Sequence, residues 1–402
     1  MTSAEAFLIF LNILQAVVLG YLAFGTLYIF IFSVAGLFSP EQKLTETRFI
    51  HSFAVLLPGY KEDNVILEAA GEALKQNYPK TSFSVIIIAD SFQPETLQKL
   101  KEMPIQVIEV SFDISTKSKA LNKALDQLND NQFDVALVLD ADNIMETDFL
   151  EKVNNAFNAG SFAVQGHRTA KNTNTHFAIL DAISEEINNH IFRKGHRVLG
   201  LSSSLIGSGM AFPFAYFKEM MKNIKAIGGF DKEIELTMLR EGKTIDYLDK
   251  AMIYDEKVQA SEVFVKQRRR WLSAQLHYAK YLPDAVFRLF VNGNVDFFDK
   301  AVQMVLPPRI ILLGLLPLLS LVSLFVNPVQ VTFIWASLLL LLVLSMLCAI
   351  PRRFWSPETL AAVGSLPKGF FLMVFSLVST KGANKKFIHT QHTASTIQNK
   401  KP

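Results

Sequence analysis

The chain has 402 residues, half of them hydrophobic, a formal net charge of +3 and one cysteine. That length leaves room for two or three domains, and the apolar share is high for a purely soluble protein. The small net charge makes no case for nucleic acid, and the lone Cys348 excludes an internal disulfide or a cysteine metal site.

The apolar excess is concentrated at the two ends. No charged residue lies between Glu5 and Glu41, or between Arg309 and Arg352, while one bilayer crossing needs only about 20 apolar residues. Residues 6–38 are expected to form a transmembrane helix. A cleaved signal peptide would carry Lys or Arg ahead of a shorter apolar core, and neither condition holds. Residues 41–280 then form a domain outside the bilayer. Inside it, the apolar runs "FAVLLPGY", "SVIIIADS", "IQVIEV" and "VALVLDAD" alternate with helical stretches such as "NVILEAAGEALKQ" and "KSKALNKALDQL". Continuous apolar strands between helices imply a parallel sheet covered on both faces. Ligands of such sheets bind at the carboxyl ends of the strands. That rule puts Pro58 to Glu62, Asp90 with Ser91, and Asp140 with Asp142 on one rim.

Residues 281–303 are expected to lie at the membrane interface. Asn327 and Pro328 split the second apolar region into a transmembrane hairpin, 304–350. The stretch Leu360 to Thr380 is interrupted by Pro367 and Lys368, and crossing there would export Lys381, Lys385, Lys386, Lys400 and Lys401. Residues 351–402 therefore read as an interfacial helix and a polar tail on the cytoplasmic side. Lys and Arg follow the first span (Lys43, Arg48) and flank the hairpin (Lys300, Arg309, Arg352, Arg353), which places the middle domain in the cytoplasm. The histidines show no zinc spacing, and "HTQH", residues 389–392, belongs to the tail.

Two carboxylates one residue apart at a strand end can share one hard cation whose other ligands are water and phosphate oxygens. A solvated turn is the plain alternative for Asp140 and Asp142, as an Asx turn is for Asp90. Company distinguishes these readings. Together, "LLPGYKED", "ADS", "KSKALN", "DAD" and "QRRRW" resemble the motifs of family-2 inverting glycosyltransferases. The resemblance is to their membrane-embedded branch, with cellulose, hyaluronan and poly-N-acetylglucosamine synthases and ceramide glucosyltransferase. It covers roughly Phe53 to Trp271 and the flanking spans.

The resemblance implies an α/β fold of the GT-A, Rossmann-like kind with flanking transmembrane helices, and transfer from a UDP-sugar to a lipid or glycan acceptor at the inner membrane face. It implies that Pro58, Tyr60 and Glu62 form the nucleotide loop, that Asp90 faces the uracil, and that Lys117 and Asp140 meet the nucleotide. Asp142, with Asp140, would hold Mg2+ or Mn2+. Gln267 and Arg270 would approach the diphosphate, and Trp271 the acceptor. "LIGSGMAF", residues 205–212, resembles a small-residue stretch beside the acceptor, with Gly207 and Gly209 permitting close approach; a packed loop explains it equally. The basic run could instead hold the domain on anionic lipid through Arg268 and Arg269. Relatives usually carry Glu-Asp where this chain has Lys232-Glu233, which nominates Glu233 as the general base, with Asp231 and Glu235 in reserve. Oligomers, a processive synthase, and a non-catalytic membrane scaffold that has lost its base stay open.

Overall fold

The computed structural model describes residues 2–40, 49–226, 228–259 and 261–378. Lys43, Arg48, the polar tail and "HTQH" lie outside them. The first helix, α1 (Ser3–Gly36), starts at a capping box in which Thr2 and Glu5 satisfy each other's backbone N–H groups.

The first half of the domain alternates as its apolar runs dictate: β1 (Phe53–Tyr60), α2 (Ile66–Ala73), β2 (Phe83–Asp90), α3 (Pro94–Lys101), β3 (Gln106–Val110), α4 (Lys117–Leu125) and β4 (Val135–Val138). These strands pair in parallel in the order β3-β2-β1-β4. Both faces are covered. Ala54, Leu56, Ile86 and Ile88 pack into one core, and Phe53, Val55, Leu57, Val85 and Ile87 into the other. The pleat thus sends alternate residues of an unbroken apolar run to opposite cores.

The second half departs from a purely parallel sheet. It runs β5 (Ile144–Met145), α5 (Phe149–Asn158), β6 (Ala163–Ala170), α6 (His176–Asn188), a π-helical stretch (Asn189–Gly195), α7 (His196–Val198), β7 (Met210–Pro213), α8 (Phe214–Met221), α9 (Phe230–Arg240) and β8 (Ile245–Asp255). The full order is β3-β2-β1-β4-β7-β6-β8-β5, with β7 antiparallel to both β4 and β6, and β5 antiparallel to β8. Gly209 donates its N–H to Val138 O at 2.7 Å, so the returning chain meets β4 where that strand stops.

After β8 come α10 (Ser261–Tyr278), α11 (Leu282–Asn292), α12 (Val295–Gln303), α13 (Arg309–Val326), α14 (Val329–Ala349), α15 (Pro357–Val363) and α16 (Leu366–Val378). Helices α1, α13 and α14 are long and apolar enough to cross a membrane. Ser33 Oγ of α1 donates to Ser345 O of α14 at 2.6 Å, and Gly25 packs on Pro307. The structure divides the expected interfacial segment in two. Helix α11 exposes Phe287, Phe290 and Val291, whereas α12 belongs to the domain, with Phe297, Lys300 and Ala301 buried. Lys300 is therefore no membrane-flanking charge.

Candidate active site

The rim forms where β1, β2 and β4 end. Tyr60 and Asp90 are register partners, and the next residue on each strand, Lys61 (φ 55°) and Ser91 (φ 59°), adopts a left-handed backbone. Such conformations in non-glycine residues are held only by their surroundings and gather at functional sites. Asp90 is buried, and one carboxylate oxygen accepts from Ser91 Oγ at 2.9 Å. Glu62, which follows Lys61, is buried as well, its backbone carbonyl opening the turn into α2. Pro58 does not reach the rim: it pairs with Ile88 inside the sheet, two residues short of the strand end.

Lys117, the first residue of α4, spans the site. Its Nζ donates to Asp140 Oδ1 at 2.5 Å and to Gly207 O at 2.7 Å, and it stands 4.8 Å from the Phe230 ring centre. Asp140 N donates to Ser208 Oγ at 2.9 Å, and Arg168 lies 3.8 Å from Asp140 Oδ2. Asp142 is only 3% exposed. Its Oδ1 accepts from Asn143 Nδ2 at 3.1 Å, its Oδ2 from the Glu256 N–H at 3.4 Å, and its carbonyl from Lys171 at 2.8 Å. The D-x-D turn is thus braced by the ends of β6 and β8.

Those ends supply residues that the motif reading missed. Asp255 closes β8, accepts from Asn143 Nδ2 at 2.9 Å and pairs with Lys257 at 2.7 Å. Burial pushes its carboxyl up to about 7, with Asp142 and Asp140 adding to the rise and Arg168 opposing it. Glu185 of α6 holds Arg168 at 2.6 Å and also pairs with Lys257. The signal was available, since "IYDEK" ends an apolar strand in an acid just as "VLDAD" does.

Helices α9 and α10 close the other side. The Cβ of Asp231 lies 3.9 Å from where a side chain on Gly207 would begin. Burial raises the Asp231 pKa and Glu235 adds to it, while Lys232 and Lys117 pull it down. Burial lowers the Arg270 pKa, and the carboxylates that counter this are Asp140 and Asp231. Asp231, Asp140 and Lys117 therefore gather around Gly207, with Arg270 near enough to feel the charge of Asp140 and Asp231. Glu233 turns elsewhere: its Oε2 accepts from the Ala226 N–H at 2.8 Å, which commits it to the loop before α9. Glu235 is fully buried in ion pairs with Lys300 at 2.6 Å and Lys232 at 2.9 Å.

The two glycines have different duties. Gly207 (φ 86°) borders the site, but a side chain on Gly209 (φ 66°) would overlap Ile253, so Gly209 serves packing and not ligand approach. Arg268 does not face lipid. It is buried, donates to Asp181 at 2.5 Å and stacks 4.3 Å from the Trp271 ring centre. A small pocket between α6 and α10 is lined by Arg168, Glu185, Lys257, Gln267, Trp271 and Ile206. Gln267 Oε1 is buried there without a hydrogen-bond partner, while Trp271 is partly exposed.

Two carboxylates at strand ends, a lysine beside them and a further acid in reach make up the candidate site. The model of the glycosyltransferase like family 2 matches residues 51–274, and the chain belongs to that family. It is a glycosyltransferase with a GT-A, Rossmann-like domain and apolar helices at both ends. Among solved structures, a mannosyltransferase of Pyrobaculum calidifontis, in complex with GDP-Man and Mn2+, shares the fold at 16% identity and a TM-score of 0.50 over 83% of this chain and 97% of its own. TarS of S. aureus, residues 1–349, aligns at 15% identity and a TM-score of 0.40 over 83% and 90%. Glucosyl-3-phosphoglycerate synthase of Mycobacterium tuberculosis, in complex with Mn2+, UDP and glucosyl-3-phosphoglycerate, aligns at 14% identity and a TM-score of 0.40 over 58% and 83%. No curated protein matches the sequence.

Proposed function

We propose that this chain transfers a sugar, with inversion, from a nucleoside diphosphate donor, a UDP-sugar by its motifs, to a lipid-linked acceptor at the inner membrane face. The observation that carries the reading is the convergence of Asp140, Lys117 and Asp231 around Gly207. Asp90 and the Tyr60–Glu62 loop are assigned to the nucleoside. Lys117 and Arg270 are assigned to the diphosphate, whose charge a guanidinium fork and an ammonium suit.

Among the described residues no group of three acidic, histidine or cysteine side chains forms a complete metal cage. Two carboxylates of hard oxygen character, Asp142 and Asp140, nevertheless fit a divalent ion such as Mg2+ or Mn2+ that completes its shell with phosphate and water. When bound, such an ion would neutralise charge developing on the leaving diphosphate.

Asp231 replaces Glu233 as the general base in this reading, because Glu233 is held by the Ala226 backbone. Asp231 removes the proton from the acceptor hydroxyl, and that oxygen attacks the anomeric carbon from the face opposite the diphosphate. The bond from that carbon to the diphosphate oxygen breaks, and the nucleoside diphosphate leaves with the electron pair. Trp271 offers the acceptor an aromatic face. Ser184, which lines the pocket beside Trp271, accepts from Arg309 at the start of α13 at 2.9 Å through its carbonyl. The pocket thus adjoins the membrane hairpin, which favours an acceptor delivered from the bilayer. With Lys300 removed from the count, Arg309, Arg352 and Arg353 still support a cytoplasmic domain.

The test is transfer and donor hydrolysis by purified protein with several UDP- and GDP-sugars, with and without Mg2+ or Mn2+. Asp231→Asn is expected to bind donor and lose transfer. Wild-type transfer by that variant would remove Asp231 as the base, and no turnover of any nucleotide sugar would refute the reaction.

A further inference from the structure

Helix α9 carries a second acid that the proposed transfer step does not use. Glu235 lies four residues beyond Asp231, about 40° away around the helix, and so shares its face. Its Oε1 is 2.6 Å from Lys300 Nζ and accepts from the Leu205 N–H at 3.3 Å; its Oε2 is 2.9 Å from Lys232 Nζ. Lys232 also donates to Leu205 O at 3.1 Å. The loop leading to Gly207 is therefore clamped to α9 through both backbone polar groups of Leu205.

The cluster continues away from the site. Lys300 donates to Ser204 Oγ at 2.5 Å and to Gln303 Oε1 at 2.7 Å, and Gln303 donates to Asp299 Oδ2 at 2.9 Å. Asp299 accepts from the Tyr28 hydroxyl of α1 at 2.6 Å and lies 3.3 Å from His196 Nε2. The His196 ring stacks on Phe32 of α1 at 3.7 Å. An unbroken set of polar contacts thus joins the membrane helix to the helix that bears the base.

A buried ion pair adds little stability over apolar residues of the same volume, so its effects here are sought in geometry and charge. We propose that Glu235, fixed by Lys300, is a positioning residue: it sets Asp231 and the Leu205–Gly207 wall, and helix α1 holds this arrangement through Tyr28, Asp299 and Gln303. The inference rests on Asp231 being the base. The charged and titratable groups around Asp231 are Lys232 and Glu235 on its own helix, Lys117 on α4, Arg193 on the π-helical stretch, and Arg270 and Tyr278 on α10. Glu235 is the neighbouring negative charge among them, and it disfavours ionisation of Asp231.

Glu235→Gln keeps the size and removes the charge. Donor KM is expected to stay within about threefold while kcat falls between about tenfold and a hundredfold, the usual cost of a small misplacement. The acid limb of the kcat profile should move to lower pH, because Asp231 then ionises more easily. Glu235→Asp retains the charge, so its limb should stay in place although kcat falls. If Glu235→Gln does not fold, Tyr28→Phe decides: it removes one hydroxyl, and lower kcat with unchanged donor KM and melting temperature is expected. A Glu235→Gln enzyme with wild-type kcat and limb per folded molecule overturns the proposal, as does a folded Tyr28→Phe enzyme with wild-type kcat. Retained transfer in Asp231→Asn would instead overturn the base assignment, so the two failures are distinguishable.

Discussion

Placing a methyl group at Gly209 tests the reasoning about the site wall. Gly209 sits at φ 66°, where an L-residue pays about 1–2 kcal/mol. The new Cβ would overlap Ile253 Cδ1 and lie 3.3 Å from its Cγ1, and overpacking of this kind costs about 1–3 kcal/mol. Gly209→Ala should therefore destabilise by about 2–5 kcal/mol. Ile253→Val removes the overlapping Cδ1 at a cost of about 0.5–1.5 kcal/mol on its own. In the double variant the overlap is gone and the backbone term remains, so the two changes should couple favourably by about 1–3 kcal/mol. Denaturant unfolding of the detergent-solubilised protein and its three variants measures this, with donor absent throughout. Additivity within about 0.5 kcal/mol would refute the claim that Ile253 makes glycine necessary here.

Asp142→Asn should lower cation-dependent transfer more than tenfold, about 1.4 kcal/mol of barrier, without changing the melting temperature by more than a few degrees; full activity would remove it as a metal ligand. Glu233→Gln should keep transfer within about threefold but destabilise by about 1 kcal/mol, since it weakens the bond accepted from Ala226 N–H; a dead, well-folded variant would return the base to Glu233. Burial raises the Asp231 pKa above the usual aspartate range, and the base acts only as carboxylate. Transfer should therefore fall as pH drops through that raised value, with a limb above that of an ordinary aspartate, and kcat measured against pH would contradict this by staying flat down to pH 4.

Much of the fold could be read from the chain because Leu56 and Leu57 are both fully buried: an unbroken apolar run is what a two-sided sheet requires. Strands β5 and β7 were not legible. Ile144–Met145 is too short for a pattern, and Met210–Pro213 is a strand only because Val138 and Val164 lie beside it. For the site, identity was easier than phase. Asp231 and Glu233 are about 200° apart on a helix, so one at most faces Gly207, but the starting angle comes from Gly229, whose φ of 68° begins α9. Counting back from a family pattern names Glu233, whereas Asp231 is the acid that lies beside Gly207 and Glu233 meets the Ala226 N–H. The basic run divides in a similar way: Arg268 and Arg270 are about 200° apart around a helix and cannot share one lipid face, and Arg268 meets Asp181 while the charge of Arg270 is countered by Asp140 and Asp231.

The pairing of β5 with β8 joins Ile144 to Tyr254, and the same seam lets Glu256 N–H and Asp255 hold Asp142 and Asn143. About 110 residues separate the two sides. At roughly 5–20 residues per second on the ribosome, the D-x-D turn waits on the order of ten seconds for the strand that completes it. Strands β1 to β4 can assemble meanwhile, since their partners have already emerged. The nascent chain consequently completes the rim at the ends of β1 and β2 before the D-x-D turn, which is held in place only when synthesis has nearly reached α10 and the apolar hairpin.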